Sequence, residues 1–154
     1  MAEFAEIDGV QRIPLKRHVD DRGYLMEIMR SDSPYFKKFG QIYMTTCNRG
    51  VIKAWHMHKQ QTDYFFVPFG TAKIGLHDTR ENSKTKGKYQ TVILGEAGDE
   101  ALLIIPPLVM HGMMGLSDLC GIINIPTELF NYKDPDEFRK PLSEYEDIWT
   151  IQNR

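Results

Sequence analysis

The chain is poor in cysteine, in long apolar runs and in net charge. Two cysteines among 154 residues, Cys47 and Cys120, are too few for a disulfide framework, and they predict buried thiols in a reducing cytoplasm. No run of about 18 apolar residues is present, which excludes a transmembrane helix. The first residues lack a basic stretch followed by an apolar one, so we expect no secretory signal. Nineteen basic against 21 acidic residues give a formal charge of -2, which excludes a broad nucleic-acid-binding surface.

Short apolar or alternating runs, each broken by turn residues, fill most of the chain. Nine such runs have the length of a strand, and they are residues 23–29, 41–47, 51–57, 62–68, 71–77, 89–94, 101–105, 109–114 and 120–125. Strand-length runs at this spacing are typical of an all-β sandwich or barrel. We therefore predict one all-β domain over residues 1–154, with a short irregular C-terminal tail after residue 125.

Histidines and one carboxylate form the most specific pattern. The spacing Gly50-x5-His56-x-His58-x4-Asp63-x6-Gly70 resembles the first cupin motif, with aspartate in place of glutamate. Residues 106–111, which end at His111, resemble the second cupin motif. On a strand, His56 and His58 project from the same face because side chains alternate with period two. The two motifs identify a cupin, and the resemblance implies a jelly roll, the double-stranded β-helix barrel.

A narrower resemblance covers residues 18–137 through five separate motifs. The matching segments are 18–27, 50–56, 78–88, 104–112 with 116–118, and the set Tyr132, Pro135 and Glu137. They resemble the dTDP-4-dehydrorhamnose 3,5-epimerase family, of which this chain would be a divergent and short member. The resemblance implies an isomerase that epimerises a nucleotide-linked 4-keto-6-deoxysugar for surface polysaccharide synthesis, without a metal or an organic cofactor.

The chemistry of such a reaction suits the residues that match. A 4-keto group acidifies the neighbouring carbons, so a base with a pKa near neutrality can remove the proton. In the resemblance, His56 matches the base and Tyr132 matches the acid that returns a proton on the opposite face. A carboxylate partner would hold the tautomer of the base.

Binding residues carry over from the same motifs. Arg22 and Glu27 match residues that bind the nucleotide part across a dimer. Gln41 and His111 match polar pocket residues, and Lys53 stands where the family has a substrate-binding arginine. The expected partners are a nucleotide-sugar substrate and a second copy in a homodimer, with neither nucleic acid nor membrane.

Several positions depart from the family pattern. His58 replaces a glutamine, Asp63 replaces a lysine and Tyr43 replaces an asparagine of the pocket. The motif that supplies the acid partner of the base is absent, and by position Asp147 is the best substitute, with two rivals close by, Glu144 and Glu146.

Two alternative functions follow from these departures. His56, His58, Asp63 and His111 together match the ligand set of a metal-dependent cupin, and nitrogen with carboxylate ligands suits a divalent transition metal. Because the family motif for the acid partner of the base is absent, a non-catalytic sugar-binding cupin is the other alternative.

Overall fold

The computed structural model describes residues 1–151, and it is built almost wholly of strands. The strands are β1 (Gln11–Pro14), β2 (His18–Asp20), β3 (Gly23–Leu25), β4 (Tyr43–Asn48), β5 (Ile52–Met57), β6 (Asp63–Phe69), β7 (Thr71–Asp78), β8 (Tyr89–Gly95), β9 (Ala101–Ile105), β10 (Val109–Gly115), β11 (Leu119–Asn124) and β12 (Phe138–Arg139). A single 3₁₀ turn, Leu142–Glu144, follows them in the described part of the chain.

Two five-stranded antiparallel sheets face each other. The first sheet has the order β1-β9-β6-β11-β4 and the second has the order β12-β5-β10-β7-β8, while β2 and β3 form a separate hairpin. Strands that are distant in sequence are neighbours in each sheet, as in a jelly roll. The predicted all-β cupin fold is confirmed.

Alternation along the strands places the main core between the sheets. Ala72, Ile74 and Leu76 of β7 are fully buried there, as the sequence pattern predicts. The residue between the last two, Gly75, points to the outer face, where a Cβ atom would lie 2.5 Å from the ring of Trp149. Glycine at this position lets the tail lie directly on the sheet.

Both outer faces are covered by terminal segments of the chain. On the second sheet, Trp55, Met110 and Met114 pack against Ile148 and Trp149 of the tail. On the first sheet, a cluster around Tyr64 and Leu102 packs against side chains from residues 13–35. The sandwich therefore buries three apolar layers, of which only the middle one lies between the sheets.

The sequence prediction differs from the structure mainly at short, exposed strands. All nine predicted runs overlap a strand, but the first is a strand only over Gly23–Leu25. The strands β1, β2 and β12 were not predicted, because two to four mostly exposed residues carry too little alternation to detect. In the described residues, no helix is long and apolar enough to cross a membrane.

Candidate active site

A cavity of about 450 Å³ opens between the two sheets. It is lined by Tyr43, Thr45, Ile52, Lys53, Ala54, His56, Phe65, Met113, Ile122, Asn124, Glu137 and Arg139. Apart from Glu137, which directly precedes β12, these residues come from β4, β5, β6, β10, β11 and β12, whose inward positions converge on the cavity. A concave site of this size with a few polar groups is suited to a small polar ligand.

His56 is the histidine that lines the cavity. It follows Trp55 on β5 and therefore points inward, whereas Trp55 packs on the outer face. Its cross-strand partner on β10 is His111, and the two ring centroids are 4.1 Å apart. Burial, with the nearby His111 and His58, lowers the pKa of His56 well below its usual value. The ring is therefore an uncharged imidazole at neutral pH.

His58 and His111 lie deeper, and their rings are oriented by backbone carbonyls. The Nδ1–H group of His111 donates to the carbonyl of Val109 at 2.9 Å, and that of His58 donates to the carbonyl of Asp136. A carbonyl only accepts, so Nδ1 carries the proton in both rings. Their Nε2 atoms point to the same oxygen, Asp63 Oδ2, at 3.4 Å from His58 and 3.3 Å from His111.

Asp63 is buried at the start of β6 and is held by two side-chain amides. Its Oδ1 atom accepts hydrogen bonds from Gln61 and Asn124, both at 2.7 Å. Burial raises the pKa of Asp63, but His111, His58 and the Asn124 amide outweigh it and lower the pKa to about 2. The group is a carboxylate. The sequence analysis missed Gln61 and Asn124, because a single amide residue has no spacing signature.

The Asn124 amide also reaches the cavity. It donates a hydrogen bond to the Tyr43 hydroxyl at 3.0 Å. Burial is the main reason that the pKa of Tyr43 is raised, so this hydroxyl keeps its proton at neutral pH. Tyr43, which the sequence analysis noted as a departure in the pocket, therefore offers an O–H group inside the cavity.

Of the two predicted pocket residues Lys53 and Gln41, only Lys53 lines the cavity. The Lys53 ammonium lines the cavity and donates to Thr45 Oγ1 at 3.0 Å and to the Thr46 carbonyl at 2.6 Å. Gln41 instead accepts a hydrogen bond from the backbone N–H of Phe130 at 3.1 Å. It anchors the loop that precedes β12 and does not line the cavity.

The structure does not bring Tyr132 into the cavity. Tyr132 is 90% exposed, and its ring lies 5.0 Å from that of Phe130 on the surface of the same loop. The loop has no apolar periodicity in sequence, so its path could not be read from the residues.

Asp147 also lies away from His56. It accepts hydrogen bonds from the backbone N–H groups of Trp149 at 2.8 Å and Thr150 at 3.2 Å. The adjacent Ile148 and Trp149 pack on the outer face of the second sheet, whereas His56 points from the inner face. The two alternative carboxylates also form ion pairs away from His56. Glu144 pairs with Lys140, and Glu146 pairs with the chain's N-terminal amine.

The expected nucleotide-binding pair lies outside this cavity as well. Arg22 is on the exposed β2–β3 hairpin and pairs with Asp20, while Glu27 pairs with Arg30 at 2.9 Å. The cavity instead has an ion pair that the sequence analysis did not assign, Arg139 with Glu137 at 2.7 Å. The only sequence signal for it was the position of Glu137 at the end of the fifth motif.

A jelly roll that carries histidines and a carboxylate at one end of its barrel defines a cupin. The family model of dTDP-4-dehydrorhamnose 3,5-epimerase matches residues 5–140, which is most of the chain. The chain belongs to this family and is an isomerase of the dTDP-sugar class.

Relatives and solved structures agree with this assignment. The chain is 42% identical over 136 residues to the spore coat polysaccharide biosynthesis protein SpsL of Bacillus subtilis, covering 88% of this chain and 89% of that protein. It is 36% identical over 138 residues to the probable low-salt glycan biosynthesis epimerase Agl13 of Haloferax volcanii, covering 88% of each. A dTDP sugar isomerase from Desulfovibrio desulfuricans superposes with a TM-score of 0.85 at 29% identity, covering 93% of this chain and 92% of that chain.

Proposed function

We propose that the protein epimerises a dTDP-linked 4-keto-6-deoxysugar during polysaccharide or glycan synthesis, with His56 as the base. The observation that carries the proposal is the position of His56, an uncharged imidazole on the wall of the cavity between the sheets. The biosynthetic context is supported by the names of SpsL and Agl13, which are a polysaccharide and a glycan biosynthesis protein.

The residues around His56 suit removal of a proton beside a ketone. The reaction builds negative charge on the ketone oxygen, and a cation or hydrogen-bond donor next to that oxygen stabilises the charge. Lys53 and Arg139 place two cationic groups on the cavity wall. The same cations can bind the diphosphate of a nucleotide sugar, which carries charge of the opposite sign.

Return of the proton requires a second group, and we assign it to Tyr43. Its hydroxyl is in the cavity, is protonated at neutral pH and is oriented by Asn124. Tyr132, which the family resemblance predicts as the acid, is on the exposed loop. In this assignment His56 and Tyr43, from strands of the two opposing sheets, act on opposite faces of the sugar ring.

The homodimer belongs to the same proposal. The β2–β3 hairpin exposes Val19, Tyr24 and Leu25, with Val19 72% exposed, on an element whose strands are exposed throughout. Arg22 lies on this hairpin and does not line the cavity of its own chain. It can serve in nucleotide binding if the hairpin packs against a second copy near that copy's cavity. Sedimentation of the protein at micromolar concentration should give a dimer, and a monomer would contradict this arrangement.

The reaction is tested by solvent deuterium exchange. The protein is incubated in D₂O with a dTDP-linked 4-keto-6-deoxysugar, and NMR identifies the carbon that takes up deuterium. We expect uptake next to the ketone, and His56→Asn should abolish it. His77→Asn is the matched control, because His77 lies on the outer face of β7 stacked on Tyr89. No uptake by the wild-type protein would contradict catalysis and favour the sugar-binding alternative.

A further inference from the structure

We propose that Asn124 is a positioning residue for the proton donor Tyr43. It directs the hydroxyl hydrogen at the sugar, and it stabilises the phenolate that remains after the proton has been transferred. The inference rests on the proposed function, in which Tyr43 returns the proton, and it adds a residue to which no motif of the sequence points.

Asn124 lies between the proton donor and the middle of the first sheet. It is on β11, where its cross-strand partners are Tyr43 of β4 on one side and Phe65 of β6 on the other. Asn124 is 2% exposed and lines the cavity. A buried side-chain amide needs partners for its oxygen and for both of its N–H bonds, and the structure supplies all three.

The partners of this amide fix which of its ends faces Tyr43. The backbone N–H of Tyr64 donates to Asn124 Oδ1 at 3.1 Å, and an N–H group can only donate. The Asp63 carboxylate can only accept, and its Oδ1 atom receives Asn124 Nδ2 at 2.7 Å. Both contacts require the same orientation of the amide, so its second N–H bond is the one that meets the Tyr43 hydroxyl oxygen, at 3.0 Å.

The orientation of the amide determines where the Tyr43 hydroxyl hydrogen points. A phenol oxygen that accepts a hydrogen bond from an amide directs its own hydrogen away from that amide. Among residues 1–151, the Asn124 amide is the hydrogen-bond partner of this hydroxyl, so the hydroxyl hydrogen is available to a ligand in the cavity. An acceptor in place of the amide N–H would instead capture this hydrogen and turn it away from the sugar.

The hydrogen bond from Asn124 becomes stronger when the proton leaves Tyr43. In the return step, the O–H bond of Tyr43 breaks and its electron pair stays on the phenolate oxygen, while the electron pair of the sugar enolate forms the new C–H bond and the ketone is restored. The phenolate then takes a proton from water, and His56 releases to water the proton that it removed. A hydrogen bond to an ionised acceptor is about twice as strong as one to a neutral acceptor. Burial raises the pKa of Tyr43, and the hydrogen bond from Asn124 opposes that rise.

The test measures inversion and proton removal separately, by NMR in D₂O with a dTDP-linked 4-keto-6-deoxysugar. Asn124→Asp keeps the shape of the side chain, but its carboxyl group and that of Asp63 share one proton, because two adjacent carboxyls do not both ionise. No hydrogen is then left to donate to Tyr43. We expect inversion to fall about 10–100-fold, the contribution of a hydrogen bond to a charged group, while His56 continues deuterium exchange with retention. Asn48→Asp, at the exposed end of β4, is the matched control and should invert as the wild type does.

The same substitution in a second background shows whether Asn124 acts through Tyr43. Once Tyr43→Phe has removed the hydroxyl, Asn124→Asp should lower inversion by a further factor of about two at most, because residues in one hydrogen-bond network are not additive. Two full reductions that multiply would overturn the proposal. An equal loss of inversion and of exchange in Asn124→Asp would overturn it as well, since it would show a structural defect.

A further measurement needs no substitution at Asn124. In isotope-labelled protein, one side-chain amide proton of Asn124 should shift upfield in Tyr43→Phe, because that proton loses its acceptor, and an unchanged resonance would overturn the proposal. The proposed function fails in a different way. Full inversion by Tyr43→Phe would contradict the assignment of the acid, whereas reduced inversion by Tyr43→Phe with full inversion by Asn124→Asp would overturn only the role of Asn124.

Discussion

Two buried carboxylates, Asp63 and Asp78, are satisfied in opposite ways. Asp78, at the end of β7, accepts from Arg80 Nε and Nη2 at 2.8 Å, from Thr85 Oγ1 at 2.6 Å and from Ser83. Asp63 has amide donors at Oδ1, while its Oδ2 atom faces the Nε2 atoms of His58 and His111 beside the cavity. Both are essentially inaccessible to solvent.

The difference separates a structural carboxylate from one that belongs to a site. The donors of Asp78 all come from the following loop, so the cluster ties residues 79–88 to the sheet and has no free acceptor. Asp63 lies next to the cavity and joins residues from three strands, with its Oδ2 atom shared between two histidine rings. The comparison predicts that changes near Asp78 affect stability and changes around the cavity affect activity or binding.

The largest effect should come from His56→Asn. A positioned base contributes about 10²–10⁴-fold to a proton transfer, so deuterium uptake should fall by at least that range. The melting temperature should change little, because the ring has no hydrogen-bond partner in the described chain. A parallel loss of folding, seen by circular dichroism, would show that His56 is a structural residue. It would contradict the expectation that changes around the cavity affect activity and not stability.

Asp78→Asn should be the most destabilising of the carboxylate changes. Breaking a buried ion pair by removing one partner costs about 3–5 kcal/mol, and we expect about 3 kcal/mol because Arg80 retains some solvent contact. Urea unfolding measures the change, and deuterium uptake of the folded variant should be unaffected.

Asp63→Asn is the matched substitution at the carboxylate beside the cavity. An amide nitrogen in place of Oδ2 can donate to the two Nε2 atoms when the rings are uncharged, while the amide oxygen keeps Gln61 and Asn124. We therefore expect a change in the free energy of unfolding within about 1 kcal/mol, the value of a typical hydrogen bond. A loss as large as that of Asp78→Asn would indicate charged histidines around Asp63.

Acidic pH should remove the contribution of Asp78 to the free energy of unfolding. Burial raises its pKa, but hydrogen bonds from Arg80, Ser83 and Thr85 outweigh it and hold the pKa well below the usual value. A depressed pKa in the folded state stabilises the fold above the unfolded pKa of about 3.9, and that stability is lost as the pH falls below it. The gap in unfolding free energy between wild type and Asp78→Asn should narrow from pH 5 to pH 2, and a constant gap would contradict this.

Tyr43 and Tyr132 are the two candidates for the acid that returns the proton. Tyr43→Phe should lower inversion about 100-fold while deuterium exchange with retention continues, because His56 can still remove the proton. Tyr132→Phe keeps the ring, deletes an exposed hydroxyl and should leave both rates near wild type. The reverse result would restore the role that the family resemblance gives to Tyr132 and require the loop to move over the cavity.

Much of the fold and the centre of the site could be predicted, because both depend on local spacing. Period-two alternation identified β7, and the two cupin motifs identified His56, His58, Asp63 and His111, which the structure brings together. The rest depends on tertiary contacts without a sequence period. The loop of Tyr132 is anchored by a hydrogen bond to a distant side chain, and the tail is positioned by packing of Trp149 against the sheet.

The smallest effect should come from Asp147→Asn, although the sequence analysis placed Asp147 next to the base. Its carboxylate accepts hydrogen bonds from the next turn of the tail, on the far side of a sheet from His56. An exposed carboxylate of this kind contributes about 0.5 kcal/mol or less. Deuterium uptake and its pH profile should match the wild type, and Glu146→Gln, one residue away, is the matched control. A loss of exchange in Asp147→Asn alone would mean that the tail can leave the outer face and reach a cavity, and it would reverse the assignment made from the packing of Trp149.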